Sequence, residues 1–144
     1  MSSYSNKKVR KMTKDDIPRV RKLWKNSGIE LTLSDNLEEL EKMISQNGNL
    51  CIVCEFNSVI ISAVLGGFDG RRGWIHHLAV DSNFRRLQIG TLMMNELMKK
   101  FKEMGVVKVK LEILKSNIEV VEFYKKLNWD LRTDLVTMSY SLRK

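Results

Sequence analysis

The feature that most limits how this chain can fold lies between residues 74 and 114, where two strand-like runs flank an amphipathic helix. The run WIHHLAV, 74–80, is apolar apart from two histidines, as a strand covered on both faces should be. From Thr91 onward Met94, Leu97, Met98 and Phe101 recur at helical spacing. Gly105 stands where a C-terminal cap belongs, so this helix is expected to end near Met104. The run VVKVKLEIL, 106–114, then alternates, with Val107, Val109, Leu111 and Ile113 on one side. Strand, helix, strand in that order makes a parallel crossover. The chain therefore reads as α/β.

The other segments fit around that unit. A short strand is expected near residues 9–12, followed by TKDDIPRVRKLWKNSG. There Asp15 or Asp16 can cap a helix, Pro18 suits its first turn, and Ile17, Val20 and Trp24 share a face. In SDNLEELEKMISQNG, Asp35 and Glu38 have capping-box spacing, Leu37, Leu40 and Ile44 form a stripe, and Asn47 and Gly48 stop the helix. LCIVCEF and VIISAVLGGF, joined at Asn57 and Ser58, read as an antiparallel hairpin whose second strand ends at Gly66 and Gly67. SNIEVVEFYKKLNW predicts a last helix capped by Ser116 or Asn117, and DLVTMSYSL, 134–142, a last strand. The expectation is one domain, 1–144, with a mixed, mostly antiparallel sheet flanked by about four helices.

At 144 residues, one core must serve both fold and function. Lysine and arginine number 25 against 17 acidic residues, a net charge of +8, which favours polyanionic partners without choosing among them. Lys99, Lys100 and Lys102 read as the solvated face of the third helix, and aromatics are not interleaved with them, so nucleic acid is not the expected partner. MSSYSNKKVRK lacks the apolar core of a signal peptide, and no run approaches the ~20 apolar residues of a spanning helix. A cytoplasmic protein without a membrane partner is expected, as monomer or homodimer. Cys51 and Cys54 have redox-motif spacing, but their odd offset in a strand sends them to opposite faces, so they read as buried thiols and no metal is expected.

The loop before the third helix carries the chemistry. In RRLQIGTLMMNEL, 85–97, unpaired amides and the positive end of the helix dipole meet Arg85 and Arg86. Gly90 permits close backbone approach and Thr91 adds a hydroxyl. Such a helix mouth suits a phosphate; two solvated loop arginines are the alternative reading.

HLAVDSNFRRLQIGTLMMNEL resembles the acetyl-CoA signature of the GNAT superfamily of N-acetyltransferases, a strand ending in Val, a short loop, then Q/RxxGxG/A opening a helix. Arg85 takes the Q/R place, Gly90 the second glycine, and Gln88 stands where the first is expected. SNIEVVEFYKKLNW is similar to the family's closing motif, with Asn117 and Tyr124 in register, Asn128 in place of a glycine and Trp129 in place of Phe or Tyr. The N-terminal half looks like that of the small YpeA-type bacterial and archaeal members. The resemblance implies acetyl-CoA as acetyl donor and transfer to a primary amine, of a small molecule or of a protein N-terminus or lysine, by direct attack in a ternary complex. A catalytically silent acyl-CoA binding module is the alternative.

The same resemblance assigns roles. The pantetheine arm would lie between the strands at 74–80 and 106–114, against backbone groups of Leu78, Ala79 and Val80. The pyrophosphate would lie on Arg85, Arg86, Leu87, Gln88, Ile89, Gly90 and Thr91. Asn117 and Tyr124, two helical turns apart, would face the cofactor, and Tyr124 would protonate the leaving thiolate. His76, on the strand face of Leu78, is the candidate base, since an imidazole titrates near neutrality; a core histidine bonded to a carbonyl is the other reading. Glu112 and a chain of waters are further candidates, and His77 is expected to face away.

Overall fold

A computed structural model describes residues 6–143. The reading of the N-terminus rests partly on residues 1–5, outside the described residues. The chain forms two compact units, divided between Leu111 and Glu112.

The first unit holds a five-stranded sheet in the order β1-β2-β3-β4-β5: β1 (Lys7–Lys11), β2 (Ile52–Phe56), β3 (Val59–Phe68), β4 (Gly73–Val80) and β5 (Val109–Leu111). Every neighbouring pair is antiparallel except β4 and β5, which are parallel and joined through α3 (Ile89–Glu103). The α/β class, the mixed and mostly antiparallel sheet and the crossover are those the hydrophobic pattern implies. β3 is buried at every position from 60 to 67, as a central strand covered on both faces must be. It runs through Gly66 and Gly67 to Phe68 and does not stop at the glycines. Gly66 is there for close packing, because a Cβ would come 2.7 Å from the Leu50 carbonyl oxygen and 2.9 Å from Leu97 on α3.

One sheet face is covered by α1 (Ile17–Asn26) and α2 (Leu37–Gln46), and Val20, Leu23, Trp24 and Leu40 pack with Val53, Ala63, Leu65 and Ala79. The spacing of Ile17, Val20 and Trp24 on α1 is the stripe that buries them. The β2–β3 turn has both central residues at positive φ, Asn57 at 50° and Ser58 at 67°, as a two-residue hairpin requires. Cys51 and Cys54 are buried free thiols, and burial pushes the Cys51 thiol up to about 11.

The capping box expected between Asp35 and Glu38 is displaced. Asp35 closes a box with Thr32 one turn earlier, and α2 starts after Asn36. A carboxylate three residues after a threonine satisfies the same amides as the pattern read from the sequence, so local spacing could not choose between them.

The second unit contains a 3-10 turn over Lys115–Val120 and α4 (Val121–Lys126). A last helix capped by Ser116 or Asn117 was expected; Asn117 is non-helical, at φ −121° and ψ 33°, but the turn after it is 3-10 and the α-helix begins only at Val121. Asn128 sits at φ 71° just past α4, the left-handed position that ends helices, and the Trp129 amide donates to the Tyr124 carbonyl at 3.0 Å. Residues 134–142 form no strand with any partner among the described residues, contrary to expectation. Their alternation is intact, with Val136, Met138, Tyr140 and Leu142 all exposed. Alternation states how a segment would sit in a sheet, but a strand exists only where a second strand completes its ladder. β5 is likewise shorter than its pattern, because only Val109–Leu111 finds partners.

Candidate active site

The site in the first unit is built around a break in β4. Ala63 pairs with Ala79 but Leu65 pairs with His76, so β4 carries one residue more than β3 between these points. That is a β-bulge, and His77 occupies it at φ 58°, a left-handed conformation that residues with a Cβ seldom adopt. The extra residue reverses the alternation of side chains. Gly73 meets Phe101 of α3 on one face, while Ala79, six residues on, packs with Trp24 of α1 on the other.

The bulge corrects the expected orientation of the histidines. His76 and His77 both line one cleft of about 390 Å³, together with Glu30, Asp35, Glu39 and Met43. His76 is exposed there. His77 does not face away: its Nε2 lies 2.9 Å from Asp35 Oδ1, and its ring meets the Trp24 indole edge-on at 5.0 Å. Asp35 is only 4% exposed, and its other oxygen accepts from the Thr32 amide at 3.0 Å. Burial pushes the Asp35 carboxyl up, but hydrogen bonds from His77 and Thr32 outweigh it and hold the group below the ordinary carboxylate value. Arg21 Nε donates to the Asp35 backbone carbonyl at 2.9 Å, tying the same loop to α1.

The opposite edge of β4 is open. β5 pairs only with Gly73, Trp74 and Ile75, so residues 76–80 have β3 alone as a strand neighbour among the described residues. The Asp81 amide donates to the Ile61 carbonyl at 2.7 Å, and Ala79 stands opposite Ala63. By antiparallel alternation, Leu78 and Val80 then turn their N–H and C=O groups away from β3, toward the uncovered edge. The Ala79 carbonyl accepts from the Ser62 hydroxyl at 2.7 Å.

Beyond this edge the chain makes a 3-10 turn over Ser82–Phe84, capped by Asp81, and Phe84 packs its ring 5.3 Å from that of Phe56. α3 then begins at Ile89, two residues before the start expected at Thr91, because Gly90 sits within the first turn and Ile89 is buried. Gln88 is the N-cap, at φ 58° and ψ 29°, and its side chain makes no cap bond. The amides of Ile89, Gly90 and Thr91 therefore open the helix without carbonyl partners inside it, beside Leu87 and the exposed Arg85 and Arg86, neither of which forms a salt bridge among the described residues. A left-handed N-cap also explains why the resembling pattern has glycine at this place.

Asn117 and Tyr124 belong to the second unit. Asn117 is exposed at the break in the 3-10 turn. Tyr124 is buried between Phe123 and Trp129, at 4.9 Å and 5.8 Å, and burial pushes its phenol up to about 12. Glu112 is exposed at the start of that unit. The residues that sequence reasoning missed are Asp35 and His77 as partners, since nothing local links positions 42 apart.

The chain is similar in sequence or in fold to known acetyltransferases. An acetyltransferase of Pectobacterium atrosepticum is 29% identical over 134 residues, covering 93% of this chain and 94% of that one. Among solved structures, Ard1 from Thermoplasma volcanium superposes with a TM-score of 0.80 at 21% identity, covering 89% of this chain and 85% of that one. The PaiA N-acetyltransferase of Thermoplasma acidophilum, solved in complex with coenzyme A, gives a TM-score of 0.72 at 20% identity, covering 88% and 89%. The family model described as Acetyltransferase (GNAT) family matches residues 17–129, and on that match the chain belongs to the GNAT family of acetyltransferases.

Proposed function

We propose that the protein is an acetyl-CoA-dependent N-acetyltransferase acting on a primary amine by direct attack in a ternary complex, and that residues 1–144 work as one such domain. The observation that carries this reading is the three-position pairing of β4 with β5, which leaves the groups of Leu78 and Val80 uncovered next to an uncapped helix N-terminus. The residues fit the donor: an extended amide-bearing arm can bond to the β4 edge at Leu78 and Val80, Ala79 between them being turned to β3, and a pyrophosphate can rest on 85–91. Acetyl-CoA supplies an activated thioester. An N–H at the Leu78 edge polarises its carbonyl, a donor of the kind that stabilises a developing oxyanion.

The cleft on the other side of β4 suits the acceptor. Glu30, Asp35 and Glu39 favour a cationic amine over an anion, and the two imidazoles supply a route for the proton that the amine must lose before attack. His76 is one of these imidazoles. Tyr124, in register with the family motif and held protonated by burial, is the group assigned to protonate the leaving thiolate, with Asn117 beside the cofactor. On this reading it acts in the cytoplasm, without a metal, as monomer or homodimer; the buried free thiols Cys51 and Cys54 fit a reducing compartment.

The test is thiol release from acetyl-CoA in the presence of spermidine, glucosamine or a short lysine-containing peptide, with mass spectrometry of the product. Release that depends on an amine and matches N-acetyl product is expected. Binding of acetyl-CoA with no release for any amine would instead identify a silent binding module.

A further inference from the structure

We propose that His77, oriented by Asp35, is the group that takes the proton from the acceptor amine; this inference rests on the acetyl-transfer reading above. An ionised carboxylate only accepts hydrogen bonds, so the nitrogen facing Asp35 Oδ1 at 2.9 Å, Nε2, must carry hydrogen. The neutral ring is thereby fixed as the Nε2–H tautomer, and Nδ1 keeps the basic lone pair.

Three observations point to a built arrangement. His77 is placed by a bulge at φ 58°, a conformation that persists only where the surroundings enforce it. Its ring is packed edge-on against the Trp24 indole, and Asp35 is itself held by Thr32 and Arg21. His77 also lines the acceptor cleft, with its side chain 28% exposed. The titratable and charged groups around it are Asp35, Glu30 and Glu39 from the cleft, His76 next in the strand, and Arg21 on α1, bonded to the Asp35 carbonyl. His76 shares the wall but lies exposed.

The step balances without a further reagent. The ammonium gives one proton to Nδ1, the freed nitrogen lone pair bonds to the thioester carbonyl carbon, the C–S bond breaks with its electron pair going to sulfur, and the nitrogen releases its second proton to solvent as the amide forms. The thiolate takes the Tyr124 proton, and solvent restores both side chains. Asp35 does not touch the substrate; it is a positioning residue.

The test compares wild type with His77→Asn, His76→Gln and Asp35→Asn, using acetyl-CoA and whichever of spermidine, glucosamine or the lysine peptide wild type acetylates fastest. Asparagine tolerates the left-handed conformation, so His77→Asn should fold, and its melting temperature checks this. It should lose about 100-fold in kcat near neutral pH, the usual scale of general-base catalysis, and recover partly as pH rises and the ammonium loses its proton unaided. Asp35→Asn should lose about 10-fold in kcat with KM for acetyl-CoA unchanged. His76→Gln should lose less than His77→Asn. With only two histidines in the chain, nitrogen NMR also reads the tautomer, and neutral His77 should carry its proton on Nε2. A proton on Nδ1, or a His77→Asn variant that keeps kcat within about threefold, would overturn the proposal alone. Wild type that binds acetyl-CoA but acetylates none of the amines would overturn the acetyl-transfer reading and this proposal together.

Discussion

The ring of Phe101 on α3 lies against the backbone of Gly73 at the start of β4, so closely that a Cβ there would come within 2.6 Å of Cε1. This contact packs the helix that begins with unpaired amides against the strand whose edge is uncovered. Phe101 is 1% exposed, and its ring has no room to retreat. Gly73→Ala should therefore destabilise the fold by about 1–3 kcal/mol, the usual scale of overpacking, and weaken acetyl-CoA binding. Urea unfolding and calorimetry measure the two effects.

Gln88→Gly should act in the opposite sense on stability. Gln88 holds a left-handed conformation as N-cap of α3, which costs a residue with a Cβ about 1–2 kcal/mol. Glycine removes that strain but gains freedom in the unfolded chain, so a net stabilisation of about 0.5–1 kcal/mol is expected by thermal unfolding. Gln88 is exposed, and its side chain is expected to leave the pyrophosphate room. Acetyl-CoA affinity should thus stay within a few-fold; many-fold tighter binding by Gln88→Gly would show that the glutamine crowds the cofactor.

Acid should unfold the protein through two carboxylates. Asp16 accepts from Arg10 at 2.7 and 2.9 Å and lies below its ordinary 3.8, chiefly through those bonds and against the effect of burial. Asp35 is lowered as well. A carboxylate whose value is depressed on folding contributes stability that is present above its unfolded value and lost as pH falls through the folded one. Melting temperature should hold above about pH 5 and fall toward pH 2. Asp16→Asn should cost about 1–3 kcal/mol at neutral pH and make the acid decline shallower.

Tyr124→Phe tests the proposed role of this phenol as proton donor to the thiolate. A phenol raised to about 12 by burial stays protonated through the working range, as a donor must. Removing it should lower kcat by about 10–100-fold while leaving KM for acetyl-CoA nearly unchanged, in steady-state thiol release. Equal loss in binding and kcat would point to packing of Tyr124 against Trp129 as the residue's main contribution.

How far the sequence could be read follows from what kind of signal each feature leaves. The crossover, the helical stripes and the Asn57–Ser58 turn are local patterns of apolar spacing and turn chemistry, and they are present as read. The loop at 85–91 was visible because charge, glycine and helix start fall within one turn of each other. The bulge at His77 was not, since histidine enters the left-handed region too rarely for its presence to mark a bulge, and one inserted residue reversed the side on which His77 lies. The pairing of Asp35 with His77 spans 42 positions and is set by how α1, α2 and β4 pack. Residues 134–142 show the converse, a strand pattern without a ladder.

The most direct test of the account is the melting temperature with and without acetyl-CoA at about 100 times its dissociation constant, where binding to the folded state alone adds about 2.7 kcal/mol. The account predicts a rise of that size in wild type and a smaller one in Gly73→Ala. An unchanged melting temperature in wild type would contradict it.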